Sequence, residues 1–256
     1  MNCIKHIFFI LLIFSLSASY LTGCRSSQSI PSDSSNSAII TSRKEVLQRI
    51  ASEVAKGIPF DSYFAKNSSM DVTFGSSDYS LRLNLFFENS KETVLSAKLS
   101  FPPMLVGSAS LSSSSVKAKS KVLGVDFDRN VSINFNKSLQ FALAGSIPPV
   151  YELFGLSSFD SFGISISSDD KYRLSKSVGS ISVIVDVATS DFTLSGFTIK
   201  APQGSVNAAV LSRETFDGYV LPNKLKLDVS FDVSKSVSAI VDVTKVSING
   251  SERISF

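Results

Sequence analysis

The chain has 256 residues, 25 Lys and Arg against 22 Asp and Glu for a net charge of +3, one His, two Cys and no Trp. That length holds one large domain or two small ones, and 43% hydrophobic residues supply a real core, which excludes a disordered or collagen-like chain. Charged residues make up only 18% and Phe outnumbers Tyr by 20 to 6, so the excess is apolar rather than basic and argues against a nucleic-acid-binding surface.

The first segment reads as an export signal. Lys5 precedes the apolar run Ile7-Phe8-Phe9-Ile10-Leu11-Leu12-Ile13-Phe14, which is too short for a permanent membrane-spanning helix. Leu21-Thr22-Gly23-Cys24 then resembles the bacterial lipobox, which implies cleavage before Cys24 and acylation of its sulfur with palmitate-type chains. The expected organisation is a signal peptide over 1–23, an acylated Cys24 with a Ser-rich tether over 24–41, and a single folded domain over 42–256. The tether, centred on Arg25–Ser37, lacks apolar periodicity and should span roughly 20 Å as a flexible coil.

Cleavage leaves 233 residues with 24 basic and 22 acidic side chains, no His and one Cys committed to lipid. Without His or a free thiol the domain has no Ser-His-Asp or Cys-His nucleophile, no imidazole ligand for zinc and no internal disulfide. Two carboxylate pairs remain, Asp126 with Asp128 and Asp169 with Asp170. The second falls between two short strand-like runs, where turn Asp is far commoner than catalytic Asp. There is no phosphate-cradling glycine loop and no Gly-x-Ser-x-Gly elbow. The expectation is therefore a non-enzyme with no catalytic residue, no metal and no cofactor.

The folded part opens with an amphipathic helix: Ser42 and Glu45 have capping-box spacing, Val46, Leu47, Ile50 and Val54 share a face, and Gly57 with Pro59 marks the stop. The period then changes to two. Tyr79, Leu81, Leu83, Leu85 and Phe87 alternate with more polar positions, as do Leu95, Ala97, Leu99 and Phe101, with a hairpin turn at Asn89-Ser90-Lys91. Further runs cover residues 116–122, 131–135, 164–166, 181–187, 192–199, 206–211, 225–233 and 237–248. Ten or eleven strands at such spacing predict a mainly β fold with a few helices, in which one large antiparallel sheet is strongly curved into an incomplete barrel. Lys117, Lys119 and Lys121 alternate along one strand and read as a solvated face. Residues 137–145 have helical spacing ending at Gly145, and Tyr151–Leu156 is a second apolar insert. Both are expected to plug one face of the sheet.

The order of helix, long antiparallel sheet and mid-chain helices resembles the LolA/LolB superfamily of periplasmic lipoprotein carriers. It is closer to LolB, the outer-membrane-anchored acceptor, and to a LolB-related lipoprotein family of Bacteroidota. Leu99–Ser108 resembles LolB's strand, protruding loop and return strand; Leu139–Pro148 resembles its helix ending in Gly and a Pro-containing turn. Tyr219–Leu227, followed by Ile240–Val243, resembles its final strand pair. The chain departs from LolB in having no Trp and a longer loop at Pro102–Gly107.

The resemblance implies an acyl-chain cavity lined by Leu83, Leu85, Phe87, Leu99, Phe101, Phe141 and Phe154, and a membrane-inserting loop at Met104, Leu105 and Val106. It also implies a monomer, lipid-anchored in the outer membrane and facing the periplasm, whose partners are acylated lipoproteins or other lipids and a LolA-like carrier. The alternative is a non-enzymatic envelope lipoprotein that scaffolds a complex through a strand edge or binds another lipid.

Overall fold

The computed structural model describes residues 37–251, apart from 75, 90–93, 102–103, 112–114, 121–124, 131–139, 168, 203 and 233–234. Cys24, the signal segment, most of the tether and the predicted strand 131–135 lie outside the described residues.

Helix α1 (Ser37–Lys56) begins five residues before the expected cap. No Gly or Pro interrupts Ser37–Lys56, so nothing forces the chain out of helical geometry at Ser42. The stop is as expected: Gly57 adopts φ +68° and its N–H donates to the Val54 carbonyl at 3.0 Å. Leu47, Ile50 and Val54 are buried.

Fourteen described strands then form a single antiparallel sheet that is not closed into a barrel. They are β1 (Ser62–Phe74), β2 (Ser77–Glu88), β3 (Val94–Phe101), β4 (Met104–Leu111), β5 (Ser115–Ser120), β6 (Val125–Asn130), β7 (Gly163–Ser167), β8 (Lys171–Val178), β9 (Ile181–Ala188), β10 (Leu194–Ala201), β11 (Gly204–Phe216), β12 (Tyr219–Asp232), β13 (Lys235–Asp242) and β14 (Val246–Ile248). Strands β1–β6 and β7–β13 form two successive meanders, joined where β1 pairs with β13. Among the described residues the two edges are therefore β6 and β7.

Strand β1 holds this seam together and was not legible as a strand. Its register against β2 shifts between Ala65 and Ser68, where Asn67 takes φ 54° and its N–H donates to Asn84 Oδ1 at 2.7 Å. The bulge lies where the last strand breaks as well: β13 pairs with Ser69–Phe74 and β14 with Tyr63–Ala65, while the Lys66 N–H donates to the Lys245 carbonyl between them. The run read as one strand over 237–248 is thus two.

Register places one row on a single face across eight strands: Ile164, Leu174, Val185, Phe197, Ala208, Leu227, Ala239 and Val72. Helix α1, the helical residues 140–143 and the 3₁₀ turn Val150–Phe154 supply the apolar groups packed on this face. The row on the opposite face, Thr198, Asn207, Asp228, Ser238 and Thr73, is polar. A sheet with one covered face needs this alternation.

Candidate functional site

Two apolar assemblies occupy the helix-bearing face. The larger joins Leu47, Ile50 and Val54 of α1 to Phe159 and Phe162 in the loop after the 3₁₀ turn, and to Leu174, Val183, Val185, Val187, Leu194 and Phe197 of β8–β10. Phe159 and Phe162 meet edge to face at 5.0 Å, and Phe162 meets Phe154 at 6.3 Å. Arg43 donates from Nη2 to the Phe162 carbonyl at 2.9 Å, and Arg49 lies over the Phe192 ring, which locks the helix onto the sheet by its charged flank as well as its apolar stripe. The smaller assembly is aromatic: Tyr63 stacks on Phe87 at 5.0 Å, Phe60 packs on both, and Tyr219 abuts Phe60 at 5.5 Å. Burial pushes the Tyr63 phenol well above the ordinary tyrosine range.

The residues expected to line an acyl-chain cavity are divided between these regions. Leu83, Leu85 and Phe87 follow one another along one face of β2 and are all buried, Phe87 completely. Phe154 sits in the helix-covered assembly as a half-buried partner of Phe162, and Phe141 is buried in the short helical segment. Leu99 stands opposite Leu83 in the β2–β3 ladder and Phe101 opposite Met104, with side chains outside what is described. Phe86, sandwiched in sequence between Leu85 and Phe87, points to the other face and meets Phe64 across the strand at 6.4 Å.

The expected membrane-inserting residues start strand β4 instead of forming a long loop. Met104 pairs with Phe101 and Leu105 with Ser100, while Val106 is the extra residue where the register shifts between Leu99 and Ser100. The ladder therefore runs as far as the Phe101–Met104 pair.

Between the two assemblies runs a strip that the sequence reading did not single out. Val210, Leu225 and Val241 are aligned across β11, β12 and β13, with Leu227 beside them, and all four are half-buried. Toward β1 the same rows become fully packed: Met70 is 4% exposed and Val72 and Ala239 are each 1% exposed. The signal was present as the alternation Leu225-Lys226-Leu227, but alternation reports which face a side chain takes, not how completely that face is covered.

One cation borders this strip. Arg213 of β11 pairs across the ladder with Pro222 and donates from Nη2 to the Leu194 carbonyl. Burial pushes its guanidinium down from the ordinary arginine value, offset in part by Asp191. Gly145, at φ +71°, lies so close that a Cβ there would sit 2.6 Å from Arg213 Nη1 and 3.0 Å from the Pro222 ring. The glycine is needed both for the turn and for the contact.

The polar face carries a different arrangement. Thr198 donates to Asn207, Asn207 to Asp228, and Ser238 to Asp228 at 2.7 Å, with Lys226 Nζ 3.1 Å from the same carboxylate. Partial burial works against ionisation of Asp228, but the donors Ser238, Lys226 and Asn207 outweigh it and hold the carboxyl below the usual range. A shallow depression of about 130 Å³ lies here, lined by Ser205, Asn207, Asp228, Ser230, Ser236, Val237 and Ser238.

The two carboxylate pairs lie in a turn and in a strand ladder. Asp169 and Asp170 occupy the β7–β8 turn, Asp170 at φ 52° with its carbonyl accepting from Thr189. In the β5–β6 ladder Lys117 faces Asp128 and Lys119 faces Asp126. Among the described residues no three His, Cys, Asp or Glu side chains are grouped to hold a metal, and no helix is long and apolar enough to cross a membrane.

No protein-family model matches the chain, and no curated protein sequence does. Solved structures do resemble it. A putative outer membrane lipoprotein-sorting protein domain from Vibrio parahaemolyticus matches with a TM-score of 0.54 at 9% identity, over 82% of this chain and 94% of that one. A DUF1329 family protein from Desulfovibrio piger matches with a TM-score of 0.53 at 9% identity, over 84% and 95%. A LolA superfamily protein from Nitrosomonas europaea is more distant, with a TM-score of 0.48 at 12% identity over 80% and 94%. The chain shares its fold with the first two.

Proposed function

We propose that this protein is a non-catalytic, membrane-tethered acceptor of acyl chains, anchored through Cys24 in the outer membrane with its sheet facing the periplasm. In this reading it takes acylated lipoproteins from a LolA-like carrier and assists their insertion. The observation that carries it is the half-buried strip Val210, Leu225, Leu227 and Val241 on the helix-bearing face of an open sheet. The shared fold with a lipoprotein-sorting domain supports the direction of the reading.

The physics of the cargo explains why such a strip is useful. Each acyl methylene left in water forfeits about 0.8 kcal/mol, so a lipoprotein with several chains forfeits tens of kcal/mol unless an apolar surface receives them. Phe87 is packed by Tyr63 and Phe60, and Leu83 and Leu85 are buried on the same face of β2; the three form the floor beside the strip. The β3–β4 pair, with Phe101, Met104 and Leu105 at the end of its ladder, is the element we assign to membrane contact; Leu105→Glu should weaken binding to lipid vesicles.

The test uses the absence of Trp from the chain. Leu225→Trp introduces a single indole into the strip. Addition of a fatty acid or an acylated peptide should blue-shift its emission, and native mass spectrometry of the protein extracted from membranes should show bound lipid. An unshifted emission together with a lipid-free mass would overturn the reading.

A further inference from the structure

The two edges of the sheet are chemically unlike. Edge strand β6, Val125–Asn130, carries Asp126, Asp128 and Arg129. Edge strand β7 is Gly163-Ile164-Ser165-Ile166-Ser167, without charge or proline. It ends the strand order and pairs only with β8 among the described residues. Charges and prolines on an edge are the usual protection against adding another strand, and β7 has neither.

Its apolar side chains are also unequally covered. Ile164 lies opposite Leu174 and is half-buried, whereas Ile166, opposite Tyr172 on the same face, is 70% exposed. Among the described residues nothing covers this large β-branched side chain, which is held in solvent at the end of a core row.

We infer that β7 pairs antiparallel with β7 of a second copy of this chain about a twofold axis at Ser165. The sequence of the strand is complementary to itself in that register: Ser165 faces Ser165, Gly163 faces Ser167, and Ile164 of each copy faces Ile166 of the other. Each exposed Ile166 gains a cross-strand apolar partner on the helix-bearing face, and the rows that end at Ile164 and Ile166 continue through the axis. Other registers forfeit this match: a slip by one residue opposes Ser to Ile and puts the Ile side chains on the wrong face. Charge excludes the equivalent pairing at β6, where a twofold between Asp126 and Asp128 would oppose like carboxylates. The dimer replaces the monomer expected from sequence, and it is independent of whether the protein carries acyl chains.

The test is cysteine cross-linking of the full chain in the membranes of producing cells, using two differently tagged copies. Facing Cα atoms in an antiparallel pair lie about 4.5–5.5 Å apart, within disulfide reach. Mild oxidation of Ser165→Cys should give a mixed-tag dimer about tenfold above the unsubstituted chain and above Asp128→Cys on the other edge. Ile164→Cys in one copy with Ile166→Cys in the other should cross-link more strongly than either variant alone. Adding Ile166→Lys to Ser165→Cys should abolish the band without lowering the amount of protein, since Lys is a natural edge blocker. No dimer from Ser165→Cys, or an equal yield from Asp128→Cys, overturns the proposal. A strong band only from Ile164→Cys or Ile166→Cys alone overturns the register.

Discussion

The helix-covered assembly and the half-buried strip are built from the same kind of sequence, alternating apolar strand residues on the same face of one sheet, yet they differ in what lies above them. Val183, Val185 and Val187 of β9 are each 0% exposed under α1 and the 154–162 loop, while Leu225, Leu227 and Val241 remain half-buried three and four strands away. Full coverage converts apolar area into stability. Partial coverage leaves it available to a ligand. The contrast separates residues that hold the fold from residues that we assign to the acyl chain.

The largest expected effect falls in the covered region. Phe162→Ala removes a completely buried ring that meets Phe159 and Phe154, and should destabilise by about 3–5 kcal/mol in urea unfolding. If the loss were under 1 kcal/mol, the covered assembly would not be the core. Gly145→Ala comes next, at about 1–3 kcal/mol, because it combines left-handed backbone with a Cβ driven against Pro222 and Arg213. Thermal denaturation would read it, and Arg213→Ala in the same chain should relieve part of the strain.

Leu225→Ser should invert the pattern. Its stability cost should stay near 1 kcal/mol because the side chain is only half-buried, while fluorescent fatty-acid binding falls several-fold. A variant that unfolds but still binds when stabilised would erase the distinction between floor and strip.

Asp228→Asn tests the polar face and should cost about 1 kcal/mol at neutral pH, the net value of one hydrogen bond. The folded carboxyl sits below its unfolded value, so its contribution is present above the ordinary Asp value of about 4 and disappears as pH falls through the lower folded value. Wild type and variant should therefore converge in acid. The smallest effect belongs to Arg173→Gln: its bonds to Asp186, at 2.8 and 3.0 Å, lie in solvent, and the change should cost less than about 1 kcal/mol and shrink further in salt.

Helix α1 was legible because three buried positions recur on one face and a Gly ends it, and strands β2, β3 and β9 because an apolar residue recurs at every second position, although Phe86 and Ile184 add apolar groups on the other face. Strand β1 was not, since Lys66-Asn67-Ser68 breaks the period between Tyr63-Phe64-Ala65 and Met70-Asp71-Val72. Those three residues form the bulge that fits the gap between β13 and β14, a pairing of positions nearly two hundred residues apart that no local window contains. The candidate site was legible in part: Leu83, Leu85 and Phe87 share a face by period alone, but their distance from the Phe154 group, and the strip between, depend on strand order.

Side-chain period thus determined, from sequence alone, helix α1, the regularly alternating strands, the mainly β class, and which of their residues turn toward an apolar face. Missing His and spare Cys narrowed the chemistry before any fold was known. Only the tertiary structure decided which parts of that face are covered, which strands become edges, and that β7 is the uncharged one. Burial is a relation between elements distant in the chain, whereas periodicity is a property of each element by itself.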